Sequence, residues 1–323
     1  MVSILRREPL VRILMFGRGT IATIYGRVLE AAGHDVEFYV RPGRAAEYGV
    51  DVRLDWIDGR RKPFGRRVRE SFRPRLRESL SANDGFDLVV LSVGHHRLAE
   101  AAAFLAPRLG AATVLVFGNI WEEPLEAVAP IPSERLVFGF PQAGGGFLAD
   151  RSLWGALLPS VILGRAAASP GPREQAVHAV FRHAGIAVRW EGDIRGWLWL
   201  HVIADAGMFA QGVRSGSLAN MIGDRRAFGA AFLTARELLP LVEARGIDLG
   251  RHRTALIPFR MPRLFGVVSG WVTALVPIAR RSLAAHTDPL AAEPRAVLAD
   301  TLREARRLGI PTPRLDEQVE GRV

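Results

Sequence analysis

Apolar positions follow two kinds of pattern along the chain, and the change between them divides it. The first half is marked by short, unbroken apolar runs. Val11–Phe16 (VRILMF) is the earliest, and a run of that length without alternation predicts a strand covered on both faces. Beyond it, Ile24, Val28, Leu29 and Ala32 recur at helical spacing, and Gly33 is placed to stop the helix. Val36–Val40 (VEFYV) predicts a second strand. Asp87–Val93, Ala112–Phe117, Leu136–Phe140 and Ser160–Leu163 predict further sheet elements, with a helix over Leu98–Leu109. Ala168-Ser169-Pro170-Gly171-Pro172 is the strongest linker signal in the chain. After it the pattern predicts a helix over Glu174–His183, a short strand at Ile186–Trp190 and a long helix from Ile194 to about Val213. Further helices are expected over Arg225–Arg245, Ala255–Arg281 and Pro294–Leu308, with Gly309 as the stop. Helices in series without intervening strands imply an all-α unit. The expected organisation is α/β over residues 1–168 and all-α over residues 169–323.

Between the first strand and the first helix the chain reads Gly17-Arg18-Gly19-Thr20-Ile21-Ala22. A G-x-G-x-x-G/A turn inside a β–α–β unit of about thirty residues is a dinucleotide-binding fingerprint. Gly17 permits the tight turn, Gly19 lets the backbone approach a pyrophosphate, and the small Ala22 packs helix on strand. The anion then rests on the helix N-terminus, where free N–H groups and the helix dipole favour negative charge. The first half is therefore expected to be a Rossmann-type doubly wound sheet. Its second strand ends in Arg41-Pro42-Gly43-Arg44, with no acid before Glu47. A carboxylate at that point suits the ribose 2′-hydroxyl of NAD, whereas an arginine suits the 2′-phosphate of NADP. NADP(H) is the expected cofactor, with Arg41 as first contact and Arg44 as helper. Ligands of such sheets bind beyond the carboxyl ends of the strands, so the turns at Gly17, Arg41, Gly94–His96 and Gly118–Asn119 should line it. His95-His96 reads as a pair of exposed loop residues, because no carboxylate–histidine set accompanies it. No metal is expected.

Composition narrows the chemistry. The chain has 323 residues, 49% hydrophobic and 24% charged, which excludes a disordered chain and a small disulfide scaffold. The absence of cysteine removes thiolate nucleophiles and Cys-based zinc or iron–sulfur sites, and fits a reducing compartment. Met1–Leu10 carries Arg6, Arg7 and Glu8 without a long apolar stretch, so no secretory signal is expected and the cytoplasm is the expected location. A formal charge of +10 favours anionic ligands, and Lys62 is the only lysine available for amine chemistry. Residues 60–77 form the most basic stretch; with no nucleic-acid-binding module around it, it reads as a solvated hairpin that helps to attract an anionic cofactor. Nucleic acid is not an expected partner. Leu264–Ala279 is mostly apolar but shorter than the roughly 20 residues of a membrane span, and it is interrupted by Gly266, Ser269, Gly270 and Pro277. It reads as a buried helix, with a homodimer interface as its other use and no membrane partner.

The stretch Gly196–Asp205 (GWLWLHVIAD) holds the catalytic candidates. His201 and Asp205, four apart, share one helix face. An imidazole beside a carboxylate is held in one tautomer and more readily charged, which suits it to protonate a developing alkoxide. A structural His–Asp pair accounts for the same spacing.

On its glycine turn, its Asn119 after a strand and its Asp193–Trp199 stretch (DIRGWLW), the chain resembles the ketopantoate reductase (2-dehydropantoate 2-reductase) family over nearly its whole length. Ile13–Gly26 is similar to the family's cofactor turn, and Glu293–Gly309 resembles its last helix. The resemblance implies a Rossmann domain, a helical domain and a substrate cleft between them. It also implies NADPH-dependent reduction of a 2-keto acid to a 2-hydroxy acid, a reaction of pantothenate biosynthesis. The implied cofactor residues are Gly17, Arg18, Gly19, Thr20, Ile21, Ala22, Arg41, Arg44, Gly94 and Asn119. Asp205, Ser282, His286 and Glu293 are implied for substrate, and His201, Asn119 and Asp205 for catalysis. The chain also departs from the family. His201 stands where the catalytic lysine is expected, Asp205 replaces an asparagine one turn later, and Gly94 replaces a second lysine. The serine motif at Ser282 is only partly kept, with His286 where a polar partner is usual. The expected substrate is a small carbonyl compound with His201 as proton donor. A different carbonyl or an imine is the alternative suggested by Trp190, Trp197, Trp199 and Trp271, and a non-catalytic NADP-binding sensor or scaffold is the other.

Overall fold

The computed structural model describes residues 10–62, 64–164, 169–288 and 291–319. β1 (Arg12–Phe16) leads through the glycine turn into α1 (Thr20–Ala31), β2 (Asp35–Tyr39) and the short α2 (Arg44–Tyr48). β3 (Val52–Asp58), β4 (Arg66–Phe72), β5 (Leu76–Arg77), β6 (Leu88–Leu91), α3 (Leu98–Leu105) and β7 (Thr113–Phe117) follow. Next come α4 (Pro124–Ala127), β8 (Leu136–Phe140), β9 (Ala143–Phe147), β10 (Leu153–Leu157) and β11 (Ser160–Gly164). α5 (Pro172–His183) and β12 (Ala187–Glu191) complete the α/β half.

The main sheet runs β12-β11-β8-β7-β6-β1-β2-β5, and every neighbouring pair is parallel except β8 with β11. β1 shows why its apolar run is unbroken. Ile13 and Met15 pack with Ile24 and Val28 of α1 on one face, and Leu14 packs with Leu98 and Ala102 of α3 on the other. Strand order reverses between β1 and β6, the crevice where such sheets hold ligands.

A second sheet, β4-β3-β10-β9, was not legible as a sheet in the sequence. In β3 the residues Val52, Leu54 and Trp56 alternate inward and join the core around α1. The basic stretch at 60–77 supplies β4, which pairs antiparallel with β3 from Val52↔Phe72 to Asp58↔Arg66. Its charges are tied down: Arg67 donates to both oxygens of Asp55, and Glu70 accepts from Arg27 of α1. β9 is glycine-rich because β10 lies close against it; a Cβ at Gly145, where φ is +151°, would stand 2.2 Å from the Trp154 carbonyl.

The helical half consists of α6 (Ile194–Ser215), α7 (Arg225–Glu237), α8 (Leu239–Ala244), α9 (Ile257–Arg260), α10 (Pro262–Leu275), α11 (Pro277–Ala284), α12 (Ala292–Arg307) and α13 (Pro313–Val319). Two long helices expected from the sequence are broken, because Pro240, Pro262 and Pro277 each begin a new helix rather than continue one. The division at residue 168 also needs correction. β12 pairs in parallel with β11, Ser160↔Ala187 through Gly164↔Glu191, so α5 and β12 belong with the main sheet. The proline–glycine segment turns the chain inside a β–α–β unit, with Ala168 outside the described residues. The helical half begins at Asp193, which caps α6 by accepting from the Gly196 amide at 3.0 Å.

Candidate active site and cofactor cleft

A cavity of about 830 Å³ opens at the carboxyl ends of β1, β2 and β6. Of the residues expected there from sequence, Gly17, Arg18, Gly19, Arg41, Arg44 and Gly94 line it. Thr20, Ile21 and Ala22 form the first turn of α1 behind it, with Ala22 fully buried. Gly17 has φ +100°, and a Cβ added at Gly17 or Gly19 would meet nothing within 4 Å. The missing side chains leave open space on the cavity side. No side chain caps α1, so its first amides stay free for a ligand. This cradle fits a dinucleotide pyrophosphate.

The buried cation in the cavity wall is Arg18. It is 8% exposed, its guanidinium lies 4.7 Å from the Tyr48 ring centroid and 5.8 Å from that of Phe147, and its Nε has no hydrogen-bond partner. Among the described residues no carboxylate pairs with it, and burial pulls its pKa below the ordinary guanidinium value. Arg44 differs, being ion-paired to Glu47 at 2.6 Å; Arg41 is exposed. Phe16, Tyr39 and Phe104 stack in series, with centroids 5.1 and 5.0 Å apart, as an aromatic wall. Phe147 and Arg151 reach the cavity from the second sheet, which is why sequence reasoning missed them. No residue of 60–77 lines it, so the basic hairpin is not part of the cofactor wall.

At the seam between the halves four expected residues converge. Asn119, just beyond β7 and 8% exposed, donates from Nδ2 to Asp205 Oδ2 at 2.9 Å and to Glu293 Oε1 at 3.4 Å. Two carboxylates fix the amide's orientation, leaving Oδ1 buried without a partner. His201 Nε2 lies 3.6 Å from Asp205 Oδ2, an ion-pair distance that is too long for a hydrogen bond. The imidazole is held instead by rings: it stacks on Trp197 at 5.2 Å with planes 8° apart, and Phe140 lies 4.2 Å away. The Asp205 carboxylate therefore does less to orient His201 than the i, i+4 spacing suggested.

Ser282 and His286 lie on and just after α11, apart from this cluster. His286 Nδ1 contacts the Ser282 carbonyl at 3.0 Å, and a Cβ at Gly144 would run into the Ser282 hydroxyl, which faces β9. No hydrogen bond joins either residue to Asn119 among the described residues. His95 also departs from expectation. It is 3% exposed, and its Nε2 meets Asp300 Oδ2 of α12 at 2.7 Å, so the turn after β6 is clamped to the helical half. Among the described residues no His, Asp and Glu cluster could hold a metal.

The glycine turn of the parallel sheet, the helical half and the polar cluster where they meet set the frame for comparison with known proteins. Residues 13–153 match the family model described as ketopantoate reductase PanE/ApbA. The whole chain takes the same fold as solved structures. The 2-dehydropantoate 2-reductase from Geobacter metallireducens GS-15 superposes with TM-score 0.68 at 19% identity, covering 95% of this chain and 97% of that one. A PanE/ApbA family ketopantoate reductase from Ralstonia eutropha JMP134 gives 0.63 at 19% identity, covering 95% of each. D-mandelate dehydrogenase, solved with NADH and anilino(oxo)acetate, gives 0.68 at 15% identity, covering 96% of each. No curated protein matches by sequence.

Proposed function

We propose that the protein is an NADPH-dependent reductase of a 2-keto acid, with His201 as proton donor in place of the family's lysine. The observation carrying this reading is the convergence of Asn119, Asp205, Glu293 and His201 from β7, α6 and α12. When bound, a reduced nicotinamide supplies the hydride. Gly17, Gly19 and the first amides of α1 hold the pyrophosphate, and Arg18 with Arg41 favours the 2′-phosphate. The free Asn119 Oδ1 accepts a hydrogen bond from the ligand, and His201, pressed between Trp197 and Phe140, protonates the carbonyl oxygen. NADPH chemistry in a cysteine-free chain fits the cytoplasm.

General-acid assistance contributes about 10²–10⁴-fold. His201→Gln should therefore lower kcat by roughly that factor while NADPH still binds, as read by steady-state rates and cofactor fluorescence. Unchanged turnover would remove His201 from the mechanism.

One observation favours a second reading. Asp205 and Glu293 flank Asn119, and no described arginine pairs with either. An anionic keto acid meets negative charge there, whereas an iminium ion is complemented by it. NADPH consumption across a panel of 2-keto acids, including ketopantoate, and cyclic imines separates the two.

A further inference from the structure

The expectation of a buried helix at Leu264–Ala279 fails in an informative way. α10 does bury one face: Gly266 and Gly270 lie so close to α7 that a Cβ on Gly266 would stand 2.7 Å from the Arg225 carbonyl and the Gly229 backbone. Its other face is bare. Met261, Leu264, Val268, Trp271 and Leu275 recur every three or four residues with Val272 beside them, and each is at least 39% exposed. Single exposed apolar residues are ordinary, but a continuous stripe marks an interaction surface.

The rim of the stripe carries one sign of charge. Arg253, Arg260 and Arg263 lie toward one end and Arg280 toward the other, all exposed, and Arg225 lies 5.7 Å from the Trp271 ring centroid. From Leu249 through Thr287 the chain contains no Asp or Glu. Asp224, the nearest acid on α7, is engaged as that helix's cap and accepts the Arg226 and Ala227 amides. Among the described residues, Arg253, Arg260, Arg263 and Arg280 make no ion pair.

This charge selects the occupant. Two copies joined face to face through α10 would bring together two rims that carry arginines, with no acid between Leu249 and Thr287 to offset them, so like charges would oppose each other. A bilayer crossing is also excluded for this helix: its 14 residues span about 21 Å against the roughly 30 Å of a hydrocarbon core. No single described helix is long and apolar enough to cross, and α10 and α11 meet at 93°. An apolar face rimmed by arginines, with an exposed tryptophan on it, has the chemistry of a helix that lies in a lipid–water interface. We propose that α10 docks the protein on a bilayer surface rich in anionic phospholipid, its stripe entering the acyl boundary and its arginines meeting the phosphate headgroups. The proposal is independent of the substrate and of the role of His201.

The test is flotation of the full chain with vesicles of phosphatidylcholine alone and of phosphatidylcholine mixed equally with phosphatidylglycerol. Binding is expected on the mixed vesicles, far weaker on phosphatidylcholine, and weakened by salt. Val268→Glu with Trp271→Glu should abolish it, and Arg260→Gln and Arg263→Gln should each lower it about fivefold. All four sites are exposed, and matched thermal melts verify that the variants fold. Failure of the wild-type chain to float overturns the proposal, as does equal binding to both vesicles. A dimer in sedimentation equilibrium that the Val268→Glu, Trp271→Glu variant dissociates, without vesicle binding, assigns the face to a second copy instead.

Discussion

Among the described residues, Arg18 is a buried cation without a counter-ion. Such burial costs several kcal/mol, and the Tyr48 and Phe147 rings return about 0.5–2 kcal/mol through cation–π contact. A phosphate would supply the missing charge. Arg18→Gln should weaken NADPH about 10–100-fold, the value of one lost charge-assisted contact, and leave NADH nearly unchanged. Fluorescence titration with both cofactors decides it: equal weakening assigns Arg18 to the pyrophosphate, and no weakening makes it structural. The sequence exposed Arg18 as part of the turn but not its task. That depends on Tyr48 of α2 and Phe147 of β9, which only the folded chain brings beside it. The arginine rule for the end of the second strand pointed to Arg41 and Arg44, and Arg44 is already engaged by Glu47.

At the scale of elements, α6 carries the seam. Asp193 caps it through Gly196 and also meets the buried His252 Nε2 at 3.0 Å. Burial alone would push the Asp193 carboxyl up; the Gly196 amide and then His252 outweigh it and hold the pKa below the usual range. Asp193→Ala removes the cap and leaves His252 without its carboxylate, so a loss of about 1–3 kcal/mol is expected in urea unfolding. A loss below about 0.5 kcal/mol, the value of one weak cap, would contradict this account. The helix was legible because its signal, a long apolar pattern from Ile194 to about Val213, is local. The second sheet was not, because its pairing is distant. Leu54 of β3 meets Leu153 of β10, and neither segment announces the other. The His95–Asp300 contact was hidden for the same reason, whereas the spacing of His201 and Asp205 was visible in one helix.

Across the whole molecule, several carboxylates are held by hydrogen bonds and ion pairs, some of them between distant elements. Asp55 of β3 is held below its usual pKa range by Arg67 and also by Arg281 of α11. For Asp58 and Asp300 burial acts the other way but is outweighed, by Arg60 and by His95 respectively. Each folded pKa lies below its unfolded value. Their stabilisation is therefore complete above the unfolded carboxylate range, about pH 4, and is lost as pH falls through the folded values. Thermal melts should be nearly level from neutral pH to about 5 and fall steeply below about 4; a level profile down to about pH 3 would show that these pairs contribute little.

The cluster at the seam draws Asn119 from the sheet half and His201, Asp205 and Glu293 from the helical half, across separations of 86 and 174 residues. Its geometry thus depends on how the two halves pack against each other. One amide reaches two carboxylates across that seam, so a shift of either half changes the Asn119–Asp205 and Asn119–Glu293 distances at once.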